Sequence, residues 1–149
     1  MTAVSKNRLE RTATAQWQGA FAHGEGRLST DSGTLARARY SFPTRFGQEP
    51  GTNPEELIAA AHAGCYSMAL AYALGQAGAP PLHIETAATL ILEMSPSGPR
   101  VTGIHLRTRA QVVGIDEDAF VAVAQQAKEN CLVSRLLNAA VGLDAVLVR

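Results

Sequence analysis

Residues 53–80 read NPEELIAAAHAGCYSMALAYALGQAGAP, and this stretch decides the fold. Asn53 is a favourable helix cap, Pro54 suits the first helical position, and Glu56 stands three residues after the cap, where it completes a capping box. Gly78, with a proline two residues later, is typical of a helix end. The stretch is apolar nearly all round and carries no charged residue after Glu56. We therefore predict a long central helix, covered by a sheet or by a second subunit.

The segments on either side of this helix have the alternation of strands. Apolar and polar residues alternate with a period of two, which predicts half-buried strands, at residues 11–20, 83–94, 101–113 and 139–148. A second helix is expected from an Asp116 cap to about Glu129, and its apolar stripe of Phe120, Ala124 and Ala127 continues to Cys131. No repeat or linker interrupts the order of elements. We expect one α+β domain over residues 1–149.

The composition limits the class of protein. Thirteen basic and thirteen acidic residues cancel, without a block of like charge, which argues against nucleic acid or an anionic membrane as the partner. The uncharged central segment is about long enough to span a bilayer, but its Ala and Gly content and its polar residues favour a buried helix of a soluble protein. The polar first residues lack the apolar core of a secretory signal, so we expect a cytoplasmic protein. Its two cysteines are then expected to be a thiol pair and not a disulfide scaffold.

Cys65 lies near the middle of the predicted central helix. An inert core thiol is one interpretation, because an ordinary thiol is only about 3% ionised at pH 7 and burial lowers that fraction. A reactive thiol needs a nearby cation. His62 lies on the same helical face, but a buried imidazolium without a carboxylate is costly, so we favour a neutral, hydrogen-bonded histidine. Arg45 is the other candidate, in a segment that its Pro and Gly mark as a loop, between Phe42 and Phe46.

A buried arginine needs a carboxylate to hold its plane. Glu56 is used in the capping box, which leaves Glu55. In a straight helix Glu55 and Cys65 stand about 15 Å apart, so the two cannot touch within one helix. Together with the apolar circumference of the helix, this separation favours an intertwined homodimer with its sites at the subunit boundary.

The sequence resembles a known family at several motifs. Residues 51–65, GTNPEELIAAAHAGC, closely resemble the signature of the OsmC-like proteins, which comprise the osmotically inducible protein C and the organic hydroperoxide resistance groups. The motif Thr-Arg-Phe at 44–46 and the motif Cys-x-Val-Ser at 131–134 also match, and the resemblance covers nearly the whole chain. His62 and the segment 42–46 are similar to the osmotically inducible branch.

The resemblance implies an OsmC-like α+β fold, with curved antiparallel sheets wrapped around a long buried helix in an intertwined homodimer. It implies that Cys65 is the peroxidatic cysteine and Cys131 the resolving cysteine. Arg45 and Glu55 would then activate the thiol. One departure is Leu132, where the family usually has proline; without a pre-set helix start we expect a looser segment at Cys131.

The resemblance also implies a reaction, the reduction of a hydroperoxide with an external dithiol as reductant. We expect an apolar wall of Phe42, Phe46, Tyr66 and Met68 that favours alkyl hydroperoxides. No metal, flavin or haem is needed, and the four histidines lack ligand spacing. Two alternatives stay open: a Cys-His hydrolase or acyltransferase that uses His62, and a non-catalytic dimeric binding protein whose thiols are core residues.

Overall fold

The computed structural model describes residues 7–149, which contain strands and helices in an α+β arrangement. Their order is β1 (Ala13–Gln18), β2 (Glu25–Thr30), β3 (Ala38–Tyr40), α1 (Phe42–Phe46), α2 (Pro54–Gln76), β4 (Pro81–Ser95), β5 (Gly98–Val112), α3 (Glu117–Asn130), α4 (Leu132–Leu136) and β6 (Val141–Val148). The four predicted strands and the two predicted long helices are confirmed to within a few residues. The chain divides into two compact units, the first ending at Pro54 and the second comprising Glu55–Arg149, and each is described by itself. A single domain over 1–149 stays a prediction.

The first unit contains an antiparallel sheet in the order β1-β2-β3. Trp17 stands opposite Gly26, which stands opposite Tyr40, and the two aromatic rings lie 5.6 Å apart across the glycine. A side chain at Gly26 would collide with both rings, so the close approach requires glycine. The prediction that β1 is half buried is wrong for the described chain, because all six of its residues are exposed. The alternation supplies an apolar face, but burial requires a covering layer.

The segment predicted as a loop around Arg45 is the one-turn helix α1, and that prediction is corrected. Ser41 caps it: the Thr44 N–H donates to the Ser41 hydroxyl oxygen, and the Ser41 N–H donates to Thr44 Oγ1 at 2.7 Å. Pro43 suits the first turn of a helix, and Gly47 ends it. The prolines and glycines that suggested a loop are also the residues that begin and end a short helix.

The second unit contains a sheet in the order β4-β5-β6. Strands β4 and β5 form a long antiparallel hairpin with its turn at Pro96 and Ser97. Strand β6 runs parallel to β5, so this sheet is mixed and the expected purely antiparallel sheet is corrected. The physical reason is the connection: the chain passes through α3 and α4 between β5 and β6, and such a crossover returns the strand in the same direction.

Helix α2 has one face in the core of the second unit. The residues of this face recur every fourth position, as expected of one helical stripe, and are His62, Tyr66, Leu70 and Leu74. The opposite face is also apolar but exposed, with Met68 77% and Tyr72 71% accessible. By length and composition α2 is the one helix of residues 7–149 that could cross a membrane, yet its buried stripe is typical of a core helix in a soluble protein. A partner subunit over the exposed face stays a prediction.

Helix α3 brings Cys131 to the core. Its Asp116 cap is confirmed, with the Ala119 N–H donating to the carboxylate at 2.8 Å. The predicted apolar stripe is buried and ends at Cys131, which is 1% exposed and forms the C-cap. Helix α4 begins at Leu132, directly after Cys131, so a helix starts here without proline. The expected looseness of this segment stays a prediction.

Candidate functional site

The two cysteines of the chain meet in the second unit. Cys65 lies half buried in the middle of α2, and Cys131 lies at the junction of α3 and α4. Both are free thiols, and the Cys131 thiol donates to the Cys65 sulfur across an Sγ–Sγ distance of 3.3 Å. They are 66 positions apart in sequence, so the pairing is made by the fold, which packs α2 against the helix junction.

The N-terminus of α4 lies beside both sulfur atoms. The first N–H groups of a helix have no partner within the helix. Those of Val133 and Leu132 act to lower the pKa of Cys65, and those of Ser134 and Val133 act to lower the pKa of Cys131. Cys131 has this position because it precedes the first residue of α4. The arrangement stabilises negative charge on either sulfur.

The two thiols nevertheless differ in acidity. Burial raises the pKa of Cys65 above that of an ordinary thiol, and the adjacent Cys131 raises it further, which outweighs the N–H donors. Burial opposes ionisation of Cys131 as well, but three groups that favour its thiolate outweigh burial: the Ser134 N–H, the Cys65 thiol, which donates to the Cys131 sulfur once that sulfur is ionised, and the Ser134 hydroxyl. The pKa of Cys131 is therefore lowered. Within the second unit, therefore, Cys131 is the more acidic thiol.

A cavity of about 710 Å³ opens beside the two sulfur atoms. Its lining residues come from α2, α3 and α4 and are largely apolar: Cys65, Met68, Ala69, Tyr72, Ala73, Gln76, Gln126, Ala127, Asn130, Cys131, Leu132 and Arg135. Met68 is thus placed beside the thiols, as the sequence predicted. Tyr66 is a correction, because it is fully buried on the opposite face of α2, where its hydroxyl donates to the Ala124 carbonyl at 3.0 Å.

Several cavity residues were missed by sequence reasoning. Tyr72 and Gln76 lie seven and eleven positions after Cys65, on the same helical face, and this spacing is a signal that could have found them. Arg135 and Asn130 come from other elements, and their place in the wall depends on packing that no local pattern encodes.

His62 contacts Ser134 rather than Cys65. Its Nε2 atom lies 2.7 Å from the Ser134 hydroxyl, and its Nδ1 atom has no hydrogen-bond partner within residues 7–149. Burial lowers the pKa of His62, which keeps the imidazole neutral at pH 7. The expectation of a neutral, hydrogen-bonded histidine agrees with this geometry, and no Cys65–His62 dyad is formed.

The predicted residues of the first unit lie together around α1. Phe42 and Phe46 have ring centroids 5.0 Å apart, and the Arg45 guanidinium lies over the Phe46 ring at 5.1 Å. They line a cleft of about 290 Å³ together with Trp17, Phe21, Tyr40 and Ser41. Glu55 stands in the first turn of α2. The roles of Arg45 and Glu55 toward Cys65 stay predictions.

Within the described part of the chain, no three side chains of His, Cys, Asp or Glu gather closely enough to hold a metal ion.

Comparison with known proteins identifies the family. The sequence profile described as OsmC-like protein matches residues 47–145. The chain belongs to the OsmC-like protein family. Proteins named peroxiredoxin OsmC from Escherichia coli and Shigella flexneri are each 45% identical to it over 136 residues, which cover 91% of this chain and 95% of theirs. These relatives agree with the predicted osmotically inducible branch.

Solved structures of the OsmC-like family share the fold. The organic hydroperoxide resistance protein OhrB of Bacillus subtilis superposes with a TM-score of 0.68 at 24% identity, covering 92% of this chain and 98% of that chain. An OsmC-like protein from Vibrio cholerae superposes with a TM-score of 0.73 at 18% identity, covering 93% and 100%. The fold is therefore OsmC-like, and the 45% identical relatives support a peroxidase-like role.

Proposed function

We propose that this protein is a two-cysteine thiol peroxidase that reduces organic hydroperoxides, and hydrogen peroxide as well. The observation that carries the proposal is the 3.3 Å separation of the Cys65 and Cys131 sulfur atoms at the wall of a largely apolar cavity. A disulfide bond is about 2.05 Å long, so the two sulfurs need to approach by only about 1 Å to form one. The peroxiredoxin OsmC relatives support the same reaction class.

In the first step Cys65 is the nucleophile. It is the more accessible of the two thiols, because Cys131 is 1% exposed. Its thiolate attacks the distal oxygen of the hydroperoxide, the O–O bond breaks, and the departing alkoxide takes a proton to become an alcohol. The sulfur is left as sulfenic acid. The N–H groups of Val133 and Leu132 at the start of α4 act to lower the pKa of Cys65, so they favour the thiolate before attack.

In the second step Cys131 resolves the sulfenic acid. Its sulfur attacks the Cys65 sulfur, the S–O bond breaks, and the hydroxide leaves as water with the proton of the Cys131 thiol. An external dithiol then reduces the disulfide by exchange and is itself oxidised to a disulfide. The cycle uses only thiol chemistry.

A reactive Cys65 requires a nearby cation, since burial raises its pKa. We propose Arg45 for this role, with Glu55 holding its guanidinium. The Phe46 ring beneath Arg45 fixes the side chain by a cation–π contact, which favours a pre-organised position over a freely moving one. We further propose that the exposed apolar face of α2 is covered by a second copy of the chain, in a homodimer located in the cytoplasm.

The substrate preference follows from the cavity. Met68, Ala69 and Ala73 provide an apolar wall beside the sulfur atoms, which suits the alkyl group of an organic hydroperoxide. Phe42 and Phe46 are proposed to add to it. The same wall gains little from hydrogen peroxide, so alkyl hydroperoxides are the preferred class.

The two alternatives are less well supported by the geometry. A Cys-His hydrolase needs an imidazole nitrogen on the Cys65 thiol, whereas His62 directs Nε2 to Ser134 and its Nδ1 has no partner among the described residues. A binding protein with core thiols gives no reason for two sulfurs to meet at a cavity wall.

The proposed function is tested by intact-mass spectrometry of the protein after one equivalent of cumene hydroperoxide. We expect a loss of two hydrogens that maps to a Cys65–Cys131 link. Cys65→Ser should abolish peroxide consumption entirely, because the attacking sulfur is absent. Cys131→Ser should consume one equivalent and stop at a sulfenic acid on Cys65, which dimedone traps.

The matched pair of variants distinguishes the two roles, since each removes one sulfur and leaves the other. Sustained turnover by Cys65→Ser with dithiol and cumene hydroperoxide would contradict the assignment. Consumption of an activated ester by the wild type, without peroxide consumption, would favour the hydrolase.

A further inference from the structure

The cavity beside the two sulfur atoms carries a single charged side chain, that of Arg135. Its other lining residues are apolar, amide, thiol or phenol groups, and none of them is acidic. Within residues 7–149 no carboxylate forms an ion pair with Arg135. A cation in the wall of a largely apolar cavity attracts an anion from outside the protein. The proposed mechanism gives this arginine no role.

The backbone places Arg135 one helical turn after Cys131. The Arg135 N–H donates to the Cys131 carbonyl at 3.0 Å, which closes the first turn of α4. Residues four positions apart on a helix are neighbours, with Cβ atoms roughly 6 Å apart. The Cys131 sulfur in turn lies 3.3 Å from that of Cys65. A single small molecule can therefore reach both the Cys65 sulfur and the guanidinium.

The cavity wall has an apolar part and a polar part. Ala69 stands four positions after Cys65 on α2, and Ala127 stands four positions before Cys131, so a small apolar side chain adjoins each cysteine. Gln126 and Asn130, four positions apart on α3, add amide groups whose N–H atoms can donate to an anion. The wall thus offers an apolar surface to a hydrocarbon and donors to a carboxylate.

We propose that Arg135 is a specificity-determining residue that selects hydroperoxides carrying a carboxylate a short distance from the peroxide. The peroxide lies at Cys65, the hydrocarbon lies against the alanines, and the guanidinium binds the carboxylate, whose two oxygen atoms fit its planar fork. This inference rests on the proposed function, because it names the substrate class of the same site. The reaction is unchanged: the S–O bond forms, the O–O bond breaks, and the carboxylate neither gains nor loses electrons.

A structural role of Arg135 predicts a different result from a role in binding. Arg135 stands in the last turn of α4, where a cation interacts favourably with the helix dipole. That interaction does not depend on what occupies the cavity, so its loss would affect all substrates alike. A change in the preference between a charged and a neutral substrate therefore reports on binding.

The first test compares two substrates that differ in charge. The probes are cumene hydroperoxide with a carboxylate in the para position and the methyl ester of the same compound. The measured quantity is the ratio of their kcat/KM values within each variant, from which any change in the acidity of Cys65 cancels. Arg135→Gln should lower this ratio on the order of tenfold, as expected for a lost hydrogen bond to a charged group. Arg135→Lys should give an intermediate ratio, because it keeps the charge and loses the planar fork.

Arg109→Gln is the matched control. Arg109 is exposed on β5 of the same unit and does not line this cavity. Its replacement changes the net charge of the chain by the same amount as Arg135→Gln and should leave the ratio unchanged. Equal ratios in Arg135→Gln and the wild type would overturn the proposal. An equal fall in Arg109→Gln would also overturn it, because the preference would then come from the net charge of the chain.

The second test measures binding without turnover. Cumyl alcohol with a para carboxylate is titrated calorimetrically into Cys65→Ser, which lacks the attacking sulfur. Adding Arg135→Gln should raise its Kd on the order of tenfold, and the difference should shrink as the salt concentration rises. The same Kd in both variants would overturn the proposal. If the wild type consumed neither hydroperoxide, the proposed function would be contradicted, and this titration would still decide whether Arg135 binds the carboxylate.

Discussion

The middle of α2 and the junction of α3 with α4 each present a sulfur atom, and the two regions treat it differently. Cys65 lies inside a continuous helix, where its own backbone N–H is part of the helical ladder and cannot turn to the side chain. Cys131 lies where one helix ends and the next begins, and the N–H groups of Ser134 and Val133 at this helix start act to lower its pKa. The pKa of Cys65 is raised and that of Cys131 is lowered.

The difference shows that residues next to a cysteine in sequence can lower the pKa of one thiol, whereas the other thiol depends on groups from elsewhere in the fold. The groups that act to lower the pKa of Cys131 include Val133 and Ser134, which follow it in Cys-Leu-Val-Ser at 131–134, where a helix begins. An acidic attacking thiol in mid-helix has to import its positive charge from elsewhere. Arg45, proposed for that role, lies 20 positions before Cys65 in the sequence. Local geometry alone cannot bring the two residues together, so tertiary or quaternary structure has to do so.

The largest effect on the difference between the two thiols is expected from removing the proposed cation, Arg45. In a Cys131→Ser background, Arg45→Ala should raise the pKa of Cys65 above that of an ordinary thiol, the direction that burial gives in the second unit. The thiolate fraction at pH 7 should fall roughly a hundredfold, as expected when an opposite charge is lost. The measurement is the pH dependence of Cys65 alkylation together with the rate of its oxidation by cumene hydroperoxide.

Arg27→Ala is the control for this experiment. Arg27 belongs to the same unit as Arg45 and pairs with Glu25 at 2.8 Å on the surface. It should leave the Cys65 profile unchanged. An unchanged profile in Arg45→Ala, with a loss of acidity in Arg135→Ala instead, would transfer the role to the arginine in the cavity wall.

The elements of the fold could be predicted because their signals are local. The Asp116 cap and the apolar stripe up to Cys131 lie within one helix and its ends, and the alternation of the β4–β5 hairpin lies within strands of 15 residues each. The parallel pairing of β6 with β5 could not be predicted, since it depends on where in the sheet the chain returns after α3 and α4. The exposure of β1 could not be predicted either, since it depends on whether another layer covers the strand. The prediction of a loop at 42–46 was wrong for another reason: Pro43 and Gly47 fit a loop and a one-turn helix equally.

The two thiols of the candidate site could be predicted from the sequence, whereas the residues around them could not. Cys65 and Cys131 were found through the family motif, and their contact agrees with it. Ser134 was missed, because its contact with His62 spans 72 positions and no helical or strand period links them. Tyr66 was placed in the cavity although one step along a helix turns a side chain by about 100°, which takes it from the Cys65 face into the core.

A smaller effect on the difference between the two thiols is expected from removing a single backbone N–H, that of Leu132. Leu132→Pro removes one of the two backbone N–H groups that act to lower the pKa of Cys65 and keeps those of Val133 and Ser134, which act to lower the pKa of Cys131. Proline is tolerated at the first position of a helix, and Leu132 is exposed, so α4 should remain intact. We expect the Cys65 thiolate fraction to fall about two- to threefold and that of Cys131 to stay constant. Alkylation profiles of the two single-cysteine backgrounds measure this.

Leu132→Ala is the matched control for the proline variant, since it shortens the side chain and keeps the N–H. It should leave the acidity of Cys65 unchanged. If Leu132→Ala and Leu132→Pro shifted the Cys65 profile equally, the effect would come from the side chain in the cavity wall and the backbone donor would play no part.

The smallest expected effect separates packing from chemistry on α2. Tyr66→Phe removes the hydroxyl that donates to the Ala124 carbonyl, and we expect the free energy of unfolding to fall by about 1 kcal/mol in urea titrations. The acidity of both thiols should not change, because the Tyr66 hydroxyl is neutral at pH 7 and directed away from the sulfurs. Tyr72→Phe, on the exposed face of the same helix, should leave stability unchanged. A raised KM for cumene hydroperoxide in Tyr66→Phe, with unaltered stability, would return Tyr66 to the substrate pocket and contradict its place in the core.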